Sequence, residues 1–150
     1  MDPEKLSSGT CPISRGLALV SDAWSALILR DAGWGMTQFD QFRASLGIAP
    51  NILSRRLRAL TEAGVLEKRR YSERPPRDEY VLTQAGREFL PILATIGEWG
   101  RRHNGCGTPL SHLVDDETGE RVKAIVVDEA TGRRFEQLPV RLVMPEGFDA

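Results

Sequence analysis

The segment Gly47-Ile48-Ala49-Pro50 constrains the fold of this chain more than any other feature, because it combines a helix stop with a helix start. Apolar residues between Phe39 and Leu46 recur at helical spacing, and a glycine follows directly. Pro50 can open a new helix at once, since the N–H that proline lacks is not needed at a first helical position. The sequence therefore predicts two helices, over 37–46 and 50–63, joined by a tight turn.

Capping residues, glycines and prolines divide the rest of the chain into further elements. The segments VLEKRRY and DEYVL are typical of short strands, and prolines stiffen the loop SERPPR between them. Pro91 predicts a kink or an early break in the last helix. The predicted helices run from Pro12 to about Val20, from a cap at Ser21 or Asp22 to Gly33 and Gly35, from a cap at Thr37 with Asp40 as capping-box partner to Gly47, from Pro50 to Gly64, and from Thr83 onwards.

The charge of the chain is unevenly distributed, although the formal net charge of its 150 residues is only −1. Residues 41–77 carry nine cations against three acids, a net charge of +6, and eight of these cations are arginine. Residues 104–150 carry five cations against nine acids, a net charge of −4. A polyanion responds to the local field and not to the average, so the small net charge does not exclude nucleic acid as a partner.

The second helix of the central pair has two different faces. Leu53, Leu57 and Leu60 form an apolar stripe that must pack on the preceding helices, so the opposite face looks outward. Polar and arginine side chains on such a face can read purine edges and bind phosphates in a major groove. A solvated helix face is the alternative for this helix taken alone. The predicted base-edge contacts are Asn51, Ser54 and Arg55, and the predicted edge or phosphate contacts are Arg56 and Arg58.

A basic hairpin next to this helix pair favours DNA binding. A proline-stiffened basic loop beside a helix-turn-helix is what a winged-helix protein places along a minor groove or its phosphates. An ordinary charged hairpin is the alternative, yet it would not need five cations beside an arginine-bearing helix. The predicted wing contacts are Arg70, Arg74 and Arg77, and the predicted phosphate contacts at the start of the helix-turn-helix are Thr37 and Gln38.

A series of short motifs runs through residues 11–102: Cys11-Pro12, Asp22-Ala23-Trp24, Leu27-Ile28-Leu29-Arg30, Phe39 with Phe42, Ile48-Ala49-Pro50, Leu53-Ser54-Arg55-Arg56-Leu57, Leu60, Gly64, Tyr71, Pro75-Pro76-Arg77, Glu79-Tyr80, Leu82-Thr83-Gly86 and Trp99-Gly100. In this order they resemble the HxlR-type winged helix-turn-helix transcription regulators, relatives of the MarR group. The resemblance implies a homodimer on an inverted-repeat operator, with the helix around Ser54 as recognition helix and the loop from Arg74 to Arg77 as wing.

The expected fold class is mainly α with a β-wing, in two parts: a winged helix-turn-helix domain over 1–103 and a small, acidic, β-rich appendage over 104–150. The resemblance implies dimerisation through the N-terminal helix and the helix after Thr83. An apolar stripe that a small monomer could hardly cover alone agrees with this. Two Thr-Gly repeats in the appendage predict two hairpins. The expected dimer-interface residues are Leu17, Phe89, Leu93, Ile96 and Trp99.

The first of two cysteines is a candidate sensor thiol. By the resemblance, some family members use a cysteine at the position of Cys11 to sense oxidants, quinones or aldehydes. A helix N-terminus, with Arg15 one turn ahead, is expected to lower the pKa of such a thiol. A small residue at a helix cap or at a dimer contact is the alternative role.

The remaining soft ligands do not predict a metal site or an enzyme. His103, Cys106 and His112 offer three ligands, whereas a closed structural zinc site needs four. Acids and threonine occupy the turns at which some relatives carry paired cysteines. No oxyanion loop or nucleotide-binding glycine motif accompanies these residues. We therefore expect no metal, no cofactor, no catalytic residue and no enzymatic activity.

Together these features predict a sequence-specific, homodimeric DNA-binding transcriptional regulator that responds to a redox or small-molecule signal. The alternative is a winged helix that serves as a protein-interaction module. No signal peptide and no apolar stretch of membrane-spanning length is visible, and two cysteines fit a reducing compartment. The expected location is the cytoplasm, in association with the nucleoid, with no membrane partner.

Overall fold

The computed structural model describes residues 8–20, 22–105 and 107–144. The elements follow in the order α1 (Pro12–Val20), α2 (Ala23–Gly33), α3 (Phe39–Leu46), α4 (Pro50–Glu62), β1 (Leu66–Glu73), β2 (Pro76–Leu82), α5 (Gln84–His103) and a 3-10 turn (Phe135–Gln137). β1 and β2 form an antiparallel two-stranded sheet. The predicted fold class, a winged helix-turn-helix, is confirmed.

The chain divides into two compact units, of which the first ends at Leu90 and the second begins at Pro91. This division falls within α5 and not at residue 103, so the assignment of domains to 1–103 and 104–150 stays a prediction. Among the described residues, no helix combines the length and apolar character needed to cross a membrane.

The core of the first unit is built by α2, α3, α4 and the start of β1. Leu53, Leu57 and Leu60 are at most 1% exposed and place the predicted apolar face of α4 inside. Burial of one leucine side chain contributes about 1.5–3 kcal/mol, which fixes α4 with its other face outward. The buried apolar residues are Val20, Ile28, Leu29, Phe42, Ile48, Leu53, Leu57, Leu60, Val65 and Leu66.

A carboxylate caps α2. Asp22 Oδ1 accepts a hydrogen bond from the Ser25 N–H at 2.9 Å, which makes Asp22 the cap of the two candidates; Ser21 lies outside the described residues. Such a cap is worth about 1 kcal/mol because it satisfies an N–H that the first helical turn leaves unpaired.

The start of α3 differs from the prediction. The N-cap is Gln38 and not Thr37. The capping-box partner is Gln41 and not Asp40. Gln41 Oε1 accepts hydrogen bonds from the N–H groups of Thr37 at 3.0 Å and Gln38 at 2.9 Å. Moving the cap by one residue brings Gln41 to the third helical position, from which a long side chain reaches back over the first turn.

The two strands of the wing are longer than predicted. Pairing extends to Glu73 opposite Pro76, so the six-residue loop expected over 72–77 shrinks to a turn at Arg74 and Pro75. Pro76 is tolerated because it begins its strand, where proline need not donate to the ladder. The register shifts between Arg70 and Ser72, as at a β-bulge.

A threonine and a glycine join the base of the wing to α5. Thr83 Oγ1 donates a hydrogen bond to the Gly64 carbonyl at 2.7 Å and accepts one from the Gly86 N–H at 3.2 Å. Gly86 is buried, and a Cβ on it would lie 2.4 Å from the Val65 carbonyl oxygen. Only glycine therefore permits this close approach of α5 to the start of β1.

The last helix continues through its proline. Because α5 is one helix from Gln84 to His103, the early break, one of the two alternatives predicted at Pro91, is wrong, and the kink stays a prediction. A proline within a helix removes one backbone hydrogen bond, and the many remaining turns of this 20-residue helix hold it together.

In the second unit, the two repeats form two tight turns. Asp115 Oδ1 accepts hydrogen bonds from the N–H groups of Glu117 and Thr118, and Asp128 Oδ1 accepts one from Thr131. Each predicted hairpin is present only as such a turn closed by a single bridge. The bridges are Val114 with Arg121 and Val127 with Arg134. Nearly every residue from 107 to 144 is exposed, so there is little burial to extend the strands.

Candidate nucleic-acid interface

The outward face of α4 carries most of the residues predicted to contact DNA. Asn51, Ser54, Arg55 and Arg58 are exposed, because the leucines on the opposite face are buried in the core. Within the described ranges, Arg55 has no hydrogen-bond or ion-pair partner. The Nε atom of Arg58 lies 3.6 Å from Glu62 Oε1, a loose pair whose cation is 75% exposed. This face presents one unpaired guanidinium and one weakly paired guanidinium beside two short polar side chains.

Arg56 lies apart from this face. Its Nη2 atom is 2.5 Å from Asp22 Oδ2, and both side chains are 25% exposed. A guanidinium engaged in this way is turned toward the N-terminus of α2. The structure therefore groups four of the five predicted residues of α4 and separates the fifth.

The cations along the wing strand are paired with acids. Lys68 Nζ lies 2.9 Å from Asp78 Oδ2, and Arg70 Nε lies 3.0 Å from Asp78 Oδ1. The hydrogen bond from Lys68, followed by that from Arg70, holds the pKa of Asp78 below its usual range. Arg69 pairs with Glu67 at 2.9 Å. Arg70, a predicted wing contact, is thus already neutralised in part.

The free charge of the wing lies at its turn, on Arg74, and at the start of β2, on Arg77. Arg74 and Arg77 are exposed, and no residue in the described part of the chain forms an ion pair or hydrogen bond with either side chain. The Ser72 hydroxyl donates a hydrogen bond to the Pro75 carbonyl at 2.9 Å and braces the turn. This end of the wing therefore presents two guanidinium groups that have no partner in the described residues, next to a turn held by a hydrogen bond.

The start of the helix-turn-helix is bound to the wing. The Tyr80 N–H donates a hydrogen bond to the Thr37 carbonyl at 2.7 Å, and Gln38 forms an antiparallel bridge with Glu79. Because Gln41 occupies the N–H groups of Thr37 and Gln38, a phosphate contact at this end falls to their side chains. The role of Thr37 and Gln38 as phosphate contacts stays a prediction.

Arg43 is a cation that the predicted site leaves out. It is exposed in the last turn of α3, and its side chain has no partner among the residues that the structure describes. It belongs to the basic stretch of residues 41–77, but no motif or helix-face argument selected it. The available signal in the sequence was the lack of ion-pair partners: within four residues of Arg43, Asp40 is the one acid.

A two-helix unit with an outward polar and arginine face, next to a basic wing, is the arrangement of a winged helix-turn-helix. The HxlR-like helix-turn-helix family matches residues 19–106, which is more than half of the chain. The chain belongs to the HxlR-like family. This HxlR-like protein is a transcriptional regulator with a helix-turn-helix domain, and such a domain implies DNA as its partner.

Similar proteins support the same assignment. An uncharacterized HTH-type transcriptional regulator of Mycobacterium tuberculosis is 35% identical over 137 residues, 82% of this chain and 87% of the relative. The crystal structure of PA1607, a candidate transcription factor, has a TM-score of 0.81 at 36% identity and covers 91% of this chain and 98% of its own. The redox regulator HypR in its reduced form has a TM-score of 0.59 at 28% identity, over 65% of this chain and 100% of its own.

Cys11 of this HxlR-like protein is an exposed, free thiol. The Ser14 N–H lowers its pKa most, followed by the Ser14 hydroxyl and the Ile13 N–H. The lowered pKa and its predicted origin at the helix N-terminus are confirmed, whereas Arg15 is not among the causes. Arg15 Nε instead donates a hydrogen bond to the Gly9 carbonyl at 2.7 Å. The N-terminal N–H groups of α1 favour the thiolate because they point at the developing negative charge.

Two helices of the HxlR-like protein expose apolar side chains where a dimer interface is predicted. On α1, Leu17 is 61% exposed and Ile13 is 71% exposed. On α5, Ile96 and Trp99 are more than half exposed, whereas Phe89 and Leu93 are half-buried. Ile13 and Ile92 are exposed members of these faces that the prediction did not include.

The predicted soft ligands give no further site. Residues 8–20, 22–105 and 107–144 contain no group of three His, Cys, Asp or Glu side chains that could hold a metal ion. Cys106 lies outside the described residues. The ring of His103 contacts that of Trp99 in a tilted arrangement, with ring centroids 5.3 Å apart.

Proposed function

We propose that this regulator binds an inverted-repeat operator as a homodimer, with α4 in the major groove and the wing turn on the phosphates. The observation that carries the proposal is the distribution of cations without a partner in the described residues: Arg55 on α4, Arg74 on the wing turn and Arg77 at the start of β2. Free guanidinium groups bind phosphates and guanine edges, and the helix-turn-helix presents them on one domain.

Asn51, Ser54 and Arg55 are proposed to contact base edges, and Arg58 edges or phosphates. These side chains share the exposed face of α4, and short polar groups near arginine suit the mixed donors and acceptors of a major groove. Arg56 is left out of the proposed contacts because it is already paired with Asp22. Arg43 joins the wing turn as a proposed phosphate contact.

The homodimer is supported by the exposed apolar residues of α1 and α5. A small protein rarely leaves such faces in water, and a two-fold dimer would present two copies of α4 to two half-sites. Leu17→Glu is expected to convert the dimer to a monomer, as measured by sedimentation equilibrium. A wild-type chain that is monomeric at micromolar concentration would contradict this part of the proposal.

A gel shift with the DNA upstream of the gene tests operator binding. We expect binding at nanomolar concentration at moderate salt, and protection of an inverted repeat by footprinting. Absence of binding by the wild-type protein at low salt would overturn the proposal. The cytoplasm and its nucleoid are the location that this activity requires.

A protein-interaction module is the alternative function for the same winged helix. Counterion release distinguishes the two, since DNA affinity falls steeply with salt in proportion to the number of phosphates contacted. A slope near zero in a plot of log Kd against log salt would favour the alternative.

We further propose that Cys11 responds to an oxidant or electrophile. Its exposure and the lowered thiol pKa support this, as does the similarity to the redox regulator HypR. Treatment with peroxide, a quinone or an aldehyde is expected to change operator affinity in the wild type and in Cys106→Ser, but not in Cys11→Ser. Unchanged affinity in the wild type would leave Cys11 with the role of a helix cap or dimer contact.

A further inference from the structure

One ion pair joins the middle of α4 to the start of α2. Arg56 Nη2 lies 2.5 Å from Asp22 Oδ2, while Oδ1 of the same carboxylate accepts the hydrogen bond that caps α2. A single side chain thus fixes the first turn of one helix and the centre of another. The Asp22 N–H also donates a hydrogen bond to the Val20 carbonyl at 2.6 Å, which connects the backbone of Asp22 to the end of α1.

The burial of this pair distinguishes it from the other charges of α4. The Arg56 side chain is 25% exposed, whereas that of Arg58 is 75% exposed and its pair with Glu62 is longer. Removing one partner of a partly buried pair leaves an uncompensated charge, which destabilises the packing of the helix that carries it. Exposed pairs have little effect of this kind, because water replaces the lost partner.

We propose that the Asp22–Arg56 pair positions α4 for reading the operator, and that Arg56 acts through Asp22 and not through DNA. The proposal rests on the proposed function, in which the outward face of α4 contacts base edges. Arg55 directly precedes Arg56, so a rotation of α4 about its axis moves the proposed base contacts together with the pair. Arg56 is therefore a positioning residue.

The negative charge of Asp22 gives the test an unambiguous sign. If Asp22 influenced DNA binding only through its charge, Asp22→Asn would strengthen binding, since the polyanion would meet one acid fewer. If Asp22 positions α4, the same substitution weakens operator binding, although asparagine keeps the cap of α2. We expect a loss of about tenfold in operator affinity and a smaller loss on scrambled DNA.

Substitution of the other partner tests the same pair independently. Arg56→Met is expected to weaken operator binding by a similar factor, with an unchanged slope of log Kd against log salt. A lost phosphate contact would instead reduce the slope by about 0.9. Arg56→Lys, which keeps the charge, should restore part of the affinity. The double variant Asp22→Asn/Arg56→Met should bind no more weakly than either single variant, because both break one interaction.

Glu88→Gln is the matched control. Glu88 is an exposed acid of the first unit that accepts a hydrogen bond from Gln84 Nε2 at 2.8 Å, and its loss removes one charge without touching α4. Operator affinity should stay the same or rise slightly, which gives the effect of losing one acidic charge alone. Circular dichroism should show every variant folded at the assay temperature. If Asp22→Asn does not fold, the salt slope of Arg56→Met and the recovery by Arg56→Lys decide the proposal.

The outcomes separate this inference from the proposed function. A wild-type protein that does not bind DNA at low salt overturns the proposed function. Wild-type binding together with an Asp22→Asn variant that binds equally or more tightly overturns the inference alone. A reduced salt slope in Arg56→Met, or additive losses in the double variant, also overturns it.

Discussion

Two groups of cations in the same basic stretch have different environments. Arg55 on α4 and Arg77 at the start of β2 have no partner in the described ranges of the chain. Along β1, by contrast, every cation lies within 3.0 Å of an acid: Lys68, Arg69 and Arg70. The number of cations in a sequence is therefore not the charge that a partner meets.

Strand pairing is the physical origin of the difference. The register of the wing places Arg70 opposite Asp78, and Lys68 reaches the same carboxylate from two residues away. On α4, the residues one turn from Arg55 are Asn51 and Ala59, which cannot neutralise it. A one-residue change of register would have moved Asp78 to the other face of the sheet.

Arg55→Ala is expected to have the largest effect on DNA binding, because it removes a free guanidinium from the face proposed to read bases. We expect a loss of about 1–3 kcal/mol on the operator and relaxed specificity at one base pair. Fluorescence anisotropy with the operator and single-base variants measures both. Equal losses of affinity on all sequences would indicate that Arg55 contacts a phosphate instead. Arg69→Ala is the control, because it removes a cation that is already paired with Glu67.

Arg77→Ala is expected to have the next largest effect. A phosphate contact from the wing turn contributes equally on every sequence, so operator and scrambled DNA should lose affinity by the same factor. The slope of log Kd against log salt should decrease by about 0.9. An unchanged slope would remove the turn from the proposed interface.

Asp78→Asn tests the comparison from the opposite side. The substitution releases Lys68 and Arg70 from their acid and should raise DNA affinity about two- to threefold at low salt. Asp78→Glu, which keeps the charge, is the control. A fall in affinity would indicate that Asp78 orients Lys68 and Arg70 for DNA, and that this effect outweighs the charge it neutralises.

The pKa of Asp78 gives the same test a pH dependence. A carboxyl whose pKa is lowered in the folded protein stabilises the fold above its unfolded value of about 4, and this contribution is lost as pH falls through the folded value. Lys68 and Arg70 lower the pKa of Asp78. Ionisation of Asp78 therefore leaves DNA affinity constant from pH 7 to pH 5. A rise in affinity that Asp78→Asn abolishes would contradict the lowered pKa.

Neutralising two acids of the appendage, residues 104–150, should have the smallest effect on DNA affinity. Asp116 and Glu117 are exposed, and Asp116→Asn/Glu117→Gln reduces the negative charge of residues 104–150 without shortening the chain. Affinity for scrambled DNA should rise less than twofold at low salt and not at all at high salt, where screening removes long-range interactions. The same rise at both salt concentrations would indicate a direct contact.

Local sequence patterns predicted the helices, their faces and the wing, because these depend on neighbours within one or two turns. Leu53, Leu57 and Leu60 determined which side of α4 looks outward. The partners of Arg56 and Arg70 could not be predicted, since Asp22 lies 34 residues from Arg56 and strand register brings Asp78 to Arg70. The shift of a cap to Gln38 likewise depends on a side chain, Gln41, that is a less common capping partner than an acid.

The hydrogen bond between the Tyr80 N–H and the Thr37 carbonyl, together with the bridge between Gln38 and Glu79, ties the wing to the start of α3. Under the proposed function, this connection restrains the distance between the outward face of α4 and Arg77. DNA must adjust the width of its grooves to this distance, and the energy of that deformation depends on the DNA sequence. The operator should therefore show preferences at base pairs between the two contacts, where no side chain reaches.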